Sequence, residues 1–189
     1  SSVVVQGLGP IGILTLVMAK VAGAEQVIGI DTVEFRLNVA KEFGADHTIN
    51  LKEFPTTKEL CSKIKELSTY GMGPDVVFET AGAPIAFAQA ISMVKYGGTI
   101  VEVGHWTERG TVPVDPFEVC FKDLDILGSA GAGSAWPGGD LELARRTLRA
   151  NFKRIPFERL VTHKFPLERV EEAIDIARQG ECIKAVIVP

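Results

Sequence analysis

Gly7-Leu8-Gly9-Pro10-Ile11-Gly12 is the stretch of this sequence whose residue types and spacing most directly imply chemistry. The pattern G-x-G-x-x-G gives each glycine a separate physical role, namely a tight turn, a bare Cα that lets a pyrophosphate approach the main chain, and close packing of a helix on the strand before it. A helix starting here turns its free N–H groups and positive dipole end toward an anion. Alone the motif is weak, because glycine also suits a turn that leads into a buried helix. Its surroundings sharpen it: Ser2 to Gln6 reads as a strand, Pro10 to Val21 as a helix, and the next strand ends in Asp31, nineteen residues past Gly12. A dinucleotide-binding fingerprint wants its acid about 20 residues on. The combination points to dinucleotide binding, against a structural glycine loop with a helix-capping aspartate. Asp31 favours NAD over NADP, since an ionised carboxylate accepts hydrogen bonds from ribose hydroxyls and repels an added phosphate. Arg36 complicates this, because its guanidinium could pair with that phosphate, reach a ribose hydroxyl or lie on an exposed helix face.

The elements that must position these residues alternate. Short β-branched runs at Val3–Val5, Val27–Ile30, Thr48–Ile49, Asp75–Glu79, Thr99–Val103 and Leu124–Leu127 are separated by helical patterns over 10–21, 33–43, 56–67 and 84–94. Leu60, Ile64 and Leu67 share one helix face, and Pro84 to Val94 is apolar enough to read as a buried helix. Alternation of this kind predicts βαβ units: a doubly wound, six-stranded parallel α/β sheet of the Rossmann kind, with helices on both faces and the ligand crevice at the carboxyl ends of the strands. A Gly/Ala/Ser-rich stretch, 128–139, follows the sixth strand, and a strand-helix-strand extension closes the chain after Phe157.

Size and composition narrow the partners. The 189 residues suit one α/β domain plus a modest extension. A hydrophobic fraction of 46%, a charged fraction of 23% and a net charge of −4 describe a globular chain without the basic face that tracks nucleic acid. No run approaches the roughly 20 apolar residues of a membrane span, so a cytoplasmic protein with a small-molecule partner is expected. Cys61, Cys120 and Cys182 are isolated and odd in number, and read as reduced, buried thiols. His47, His105 and His163 lie far apart without the spacing of a metal site, so no metal is expected within this chain. Ser1 stands without an initiator methionine and the strand begins at once, so a longer protein is expected.

Gly7–Gly12, DTVEFRL at Asp31–Leu37, FGADH at Phe43–His47, VFETAG at Val77–Gly82, GGTIVEVG at Gly97–Gly104 and LVTHKF at Leu160–Phe165 fall in the order seen in the medium-chain, zinc-type alcohol dehydrogenase family, which the chain resembles over essentially its whole length. The resemblance implies a cofactor-binding half of an NAD-linked alcohol or polyol dehydrogenase, in which hydride passes between an alcohol and nicotinamide C4. It implies an NAD-binding domain over 1–155 and a segment, 156–189, that packs back on a catalytic domain. It places Thr80, Ala81 and Gly82 on the adenosine side, Val103, Gly104 and His105 at the nicotinamide, Ser129, Ala130 and Gly131 near its carboxamide, and Lys184 near the phosphates. Pro10 and Ile11 belong to the phosphate turn. The catalytic zinc would be held by an N-terminal domain, leaving this chain able to bind cofactor but not to turn over. The sixth strand is expected to pair with a second copy, giving a homodimer or homotetramer. A zinc-free NADPH quinone or enoyl reductase and a noncatalytic NAD-binding module are the alternatives; the first would be expected to lack an acid at position 31.

Overall fold

The computed structural model describes residues 1–104, 110–129 and 140–189. Contacts divide the chain into two units, Ser1–Gly128 and Ser129–Pro189. The first is built on one sheet. Its strands are β1 (Ser2–Gln6), β2 (Gln26–Asp31), β3 (His47–Asn50), β4 (Val76–Glu79), β5 (Thr99–Glu102) and β6 (Asp125–Gly128), all parallel, in the order β3-β2-β1-β4-β5-β6. The chain therefore winds outward one way from β1 and then crosses to β4 and winds the other. The expected doubly wound sheet is present, and its switch point lies between β1 and β4.

Helices α1 (Pro10–Val21), α2 (Glu34–Glu42), α3 (Thr57–Leu67) and α4 (Pro84–Met93) connect the strands. All five residues of β1 are buried, as a central parallel strand covered on both faces requires. Because side chains alternate along a strand, Val4, Ile28, Val77 and Ile100 point to one face, where they pack with Leu60, Cys61 and Ile64 of α3 and Ala90, Ile91 and Met93 of α4. Ile13 and Leu16 of α1 and Leu37 of α2 are buried in turn. Helix α3 opens with a capping box: Thr56 Oγ1 accepts from the Glu59 amide at 3.2 Å while Glu59 Oε2 accepts from the Thr56 amide at 3.1 Å. Helix α4 is less uniformly buried than its composition suggests, with Ile85 of its first turn 53% exposed.

One short helix escaped the sequence reading. Helix α5 (Pro116–Phe121) is capped by Asp115, whose Oδ1 accepts from the Phe117 amide at 2.9 Å, and carries Pro116 in its first turn. Its six residues are too few for a helical period to show. It holds Cys120 at the surface, so the expectation of three buried thiols is met by Cys61 and Cys182 only. Lys122, just beyond it, donates to the carbonyls of Ile91 and Ser92 at 2.8 and 3.1 Å and closes the end of α4.

The second unit contains α6 (Asp140–Asn151), β7 (Val161–Phe165), α7 (Val170–Gln179) and β8 (Lys184–Ile187), with β7 and β8 parallel. Phe165, Ala173, Cys182 and Ile183 are buried in it, and the Arg169 guanidinium lies 5.4 Å from the centre of the Phe165 ring. Gly180 ends α7 in a left-handed conformation, φ 75°. Among the described residues no helix is long and apolar enough to cross a membrane.

Leu60→Ala, at the contact between α3 and the sheet, is expected to lower unfolding free energy by about 2–5 kcal/mol in urea melts, while Lys58→Ala on the exposed face of the same helix stays within about 0.5 kcal/mol of the unsubstituted protein.

Candidate cofactor site

The carboxyl ends of β1, β2, β4 and β5 meet around the glycine turn. Gly7 leaves β1 at φ 83°, its amide donating to Ile30 O at 2.8 Å, and a Cβ built on it would lie 2.6 Å from the Cα of Ala81. A Cβ on Gly12 would overlap the Gly7 carbonyl. These two glycines are demanded by the chain's own packing. Gly9 is different: it caps α1 in an ordinary extended conformation, φ −68° and ψ −172°, and a Cβ on it would meet nothing within 4 Å. No side chain caps α1, Pro10 occupies its first turn, and Ile11 beside it is 57% exposed. The turn thus leaves open space where a helix N-terminus presents its amides.

Asp31 ends β2 and is buried, 7% exposed. Its Oδ2 accepts from the Leu8 amide at 2.7 Å, and its Oδ1 from the amides of Thr32 and Val33 at 2.7 and 2.9 Å. A carboxylate has about four lone-pair sites, so three backbone donors leave capacity for one more. Arg36 Nη1 stands 3.9 Å from Oδ2, and its Nε is buried with no hydrogen-bond partner among the described residues. Asp31 is therefore an organiser of the glycine turn as well as a candidate ribose acceptor, a role that its spacing alone did not reveal.

The turn after β4 is sewn to the glycine turn. Thr80 Oγ1 lies 2.7 Å from both the Gln6 and Gly7 carbonyls, to which its single hydroxyl proton can be shared, and the Thr80 amide donates to Gln6 O at 2.9 Å. Gly82 follows at φ 77°. From β5, the Val103 amide donates to Glu79 O at 2.9 Å, and Gly104 comes so close to Glu79 Oε2 and the Gly82 amide that a Cβ would collide with both. Glu79 is fully buried; its Oε1 accepts from the Ala81 and Gly82 amides at 2.8 and 2.9 Å. Burial, followed by a hydrogen bond and charge from Glu102, pushes its carboxyl up to about 7 despite the two amides that favour ionisation.

Sequence reasoning treated Glu79 and Glu102 only as strand residues. Their proximity follows from β4 and β5 being neighbours in register, Glu79 opposite Glu102, which spacing along the chain does not disclose. Gly7, Gly9, Gly12, Asp31, Arg36, Thr80, Ala81, Gly82, Val103 and Gly104 are gathered at this end of the sheet. Ser129 follows β6 directly and is exposed, and Lys184 is an exposed residue opening β8 in the second unit. His105, Ala130 and Gly131 lie outside the described residues. Among the described residues there is no group of three or more His, Cys, Asp or Glu side chains placed to hold a metal.

A parallel sheet with this strand order, opening at its switch point onto a glycine turn, defines a doubly wound nucleotide-binding type of domain. Comparison with known proteins is more specific. The profile of the family described as zinc-binding dehydrogenase matches residues 10–146. Sorbitol dehydrogenase of Gallus gallus is 36% identical over 187 residues, which cover 99% of this chain and 49% of that protein. L-threonine 3-dehydrogenase of Bacillus subtilis is 35% identical over 97% of this chain and 50% of its own length. Among solved structures, an alcohol dehydrogenase from Thermotoga maritima superposes with a TM-score of 0.84 at 28% identity, over 100% of this chain and 50% of that one. The chain belongs to the zinc-binding dehydrogenase family, and it spans about half the length of the curated relatives it matches.

The two kinds of glycine separate by experiment. Gly12→Ala is expected to cost about 1–3 kcal/mol of unfolding free energy through overpacking, whereas Gly9→Ala leaves urea melts within about 0.5 kcal/mol of the unsubstituted protein.

Proposed function

We propose that this chain is the cofactor-binding portion of a zinc-dependent, NAD-linked alcohol or polyol dehydrogenase. The observation that carries the proposal is Gly9: a bare Cα facing open space at an uncapped helix N-terminus, with the Asp31 carboxylate held 2.7 Å from the neighbouring Leu8 amide. The first amides of α1 would take the pyrophosphate, and Asp31 with Arg36 the adenosine ribose. Thr80 to Gly82, Val103 and Gly104 would line the cofactor further along the crevice, with His105, Ser129, Ala130, Gly131 and Lys184 assigned to it on family grounds.

Bound nicotinamide supplies hydride acceptance and donation at C4, and zinc, held by residues outside this chain, supplies polarisation of the substrate oxygen. What the chain itself does is bind and orient. Asp31 makes NAD the favoured dinucleotide, because a buried carboxylate in that place repels a 2′-phosphate. The relatives' names cover a polyol and a hydroxy amino acid, which supports a small hydroxyl-bearing substrate and leaves its identity to the rest of the protein.

We assign assembly to β6. It is one of the two outer strands of the sheet, its four residues are exposed, and Ile126 and Leu127 offer an apolar edge at 39% and 54% exposure. A second copy adding its own β6 would cover it.

Fluorescence titration tests the cofactor reading: NADH is expected to bind more tightly than NADPH, and Gly9→Ala to lose binding while keeping its fold. Asp31→Ala is expected to weaken NADH binding by about 1.5–3 kcal/mol, the range for hydrogen bonds to a charged group. Undiminished affinity in both variants would refute the reading. For assembly, Leu127→Lys is expected to give a monomer by analytical ultracentrifugation where the unsubstituted protein is a dimer or larger.

A further inference from the structure

Helix α5 carries an aromatic cluster for which the cofactor site has no use. Phe117 and Phe121, one turn apart, stack with ring centres 5.0 Å apart, and Tyr96 meets Phe121 edge-on at 5.5 Å. The three residues nevertheless stay 65% (Phe117), 58% (Phe121) and 62% (Tyr96) exposed. The other side of the helix faces inward, where Val119 packs on the apolar cluster shared by α3, α4 and the sheet. Both sides of α5 are therefore apolar, which a helix covered only by water does not require. Since an aromatic side chain can bury about 150–250 Å², the cluster exposes on the order of 300–450 Å². Its place in the fold narrows what could cover it. Helix α5 belongs to the crossover from β5 into β6, an outer strand, and the Gly97 amide donates to Lys122 O at 2.7 Å, which ties the turn bearing Tyr96 to the end of the helix. Tyr96 and Phe121 thus lie by the amino ends of β5 and β6, at the opposite ends of those strands from the turns proposed to line the cofactor. A domain closing that crevice has no need to reach them, whereas a neighbour on the β6 edge does.

We propose that Tyr96, Phe117 and Phe121 form the hydrophobic contact between two copies of this chain that are joined about a two-fold axis through their β6 edges. The proposal rests on the assembly assigned to β6 above and names the surface that makes that assembly stable. A two-fold that adds β6 to β6 makes the pair antiparallel and stands perpendicular to the sheet, so both copies keep α5 on the same side of the joined sheet. A helix that crosses between parallel strands runs back against them. The two α5 helices therefore approach antiparallel across the axis, Phe117 of one copy toward Phe121 of the other, and the symmetry repeats each contact. Area points the same way. A stable interface takes about 800 Å² from each partner, of which Ile126 and Leu127 of a four-residue strand supply only a small part. The cluster adds a surface of comparable order on the same edge of the domain, in the residue types that dominate the energy of such contacts.

Sedimentation over a range of concentrations tests this on the unsubstituted chain and on Phe117→Ser, Phe121→Ser and Leu127→Lys, with thermal unfolding of each recorded in dilute solution. Each phenylalanine variant is expected to raise the dissociation constant of the dimer about tenfold or more, the effect of removing a central aromatic anchor, and to leave the unfolding temperature of the dilute monomer unchanged. Tyr70→Ser, which removes a ring that is 77% exposed in the turn after α3, is expected to leave the dimer as it was. Cys120 gives a second measurement, because it adjoins Phe121 on α5 and is exposed while Cys61 and Cys182 are buried. A flexible bismaleimide is expected to link two copies into a covalent dimer, and Cys120→Ser to abolish that product. A dimer that Leu127→Lys breaks and both phenylalanine variants leave intact overturns the proposal and keeps the β6 assembly, as does a dimer that yields no covalent product through Cys120. Phenylalanine variants whose dilute monomers unfold at lower temperature show the cluster to be covered within the chain, which also overturns the proposal. A monomer at every concentration overturns the β6 assembly and the proposal with it.

Discussion

Close approach of main chain to main chain at the switch point governs this site. Where β1 and β4 run side by side, the chain leaving each must turn within the same few ångströms, and the contacts of Gly7 with Ala81, Gly12 with the Gly7 carbonyl, and Gly104 with Gly82 admit no Cβ at the glycine positions. Thr80 then fastens the two turns with one hydroxyl set between the Gln6 and Gly7 carbonyls. The N-terminus of α1 inherits its direction from that knot, so the amides proposed to meet the pyrophosphate are aimed by sterics before any ligand arrives. Preorganisation of this kind lowers the ordering cost of binding.

An electrostatic difficulty is built into the same place. Three acids, Asp31, Glu79 and Glu102, end strands that surround the crevice proposed for an anionic cofactor, in a chain of net charge −4. The structure relieves it in two ways. Asp31 stays available for hydrogen bonding while three backbone amides and the nearby Arg36 offset its charge. At Glu79, burial first and then the neighbouring Glu102 push the carboxyl up, toward its neutral form.

Most of the framework was legible in the sequence because buried parallel strands write themselves as β-branched runs and their crossovers as helical periods; β1 and α1 begin and end where those patterns do. What could not be read has a common cause. Helix α5 is shorter than two turns, so its Asp115–Pro116 opening was the only signal. The pairing of Glu79 with Glu102 depends on strand order and register, which arise from packing rather than from spacing. The three glycines of G-x-G-x-x-G, by contrast, were read with separate roles from the pattern, and in the structure two answer to the protein's packing and one, Gly9, to open space. Thr80 to Gly82 entered through family resemblance, and only the knot at Gly7 supplies their physical reason.

The two ends of the sheet use acids in opposite senses. At the amino ends, Asp46 accepts from the Val27 amide and Lys20, both at 2.6 Å, and Asp75 from the Ser2 amide at 2.6 Å while pairing with Lys95 at 2.5 Å. Burial opposes ionisation at both, but their lysines and strand-end amides outweigh it and hold each carboxyl below its ordinary range. Where an amide at the start of a strand turns to a side chain rather than to a neighbouring strand, an ionised acid beside a lysine satisfies it. At the carboxyl ends, Glu79 accepts from two backbone amides but is fully buried, and burial moves the acid up instead of down. The sheet therefore anchors its strands with charged acids at one end, while at the other burial pushes an acid up to about 7 beside the turns proposed to line the cofactor.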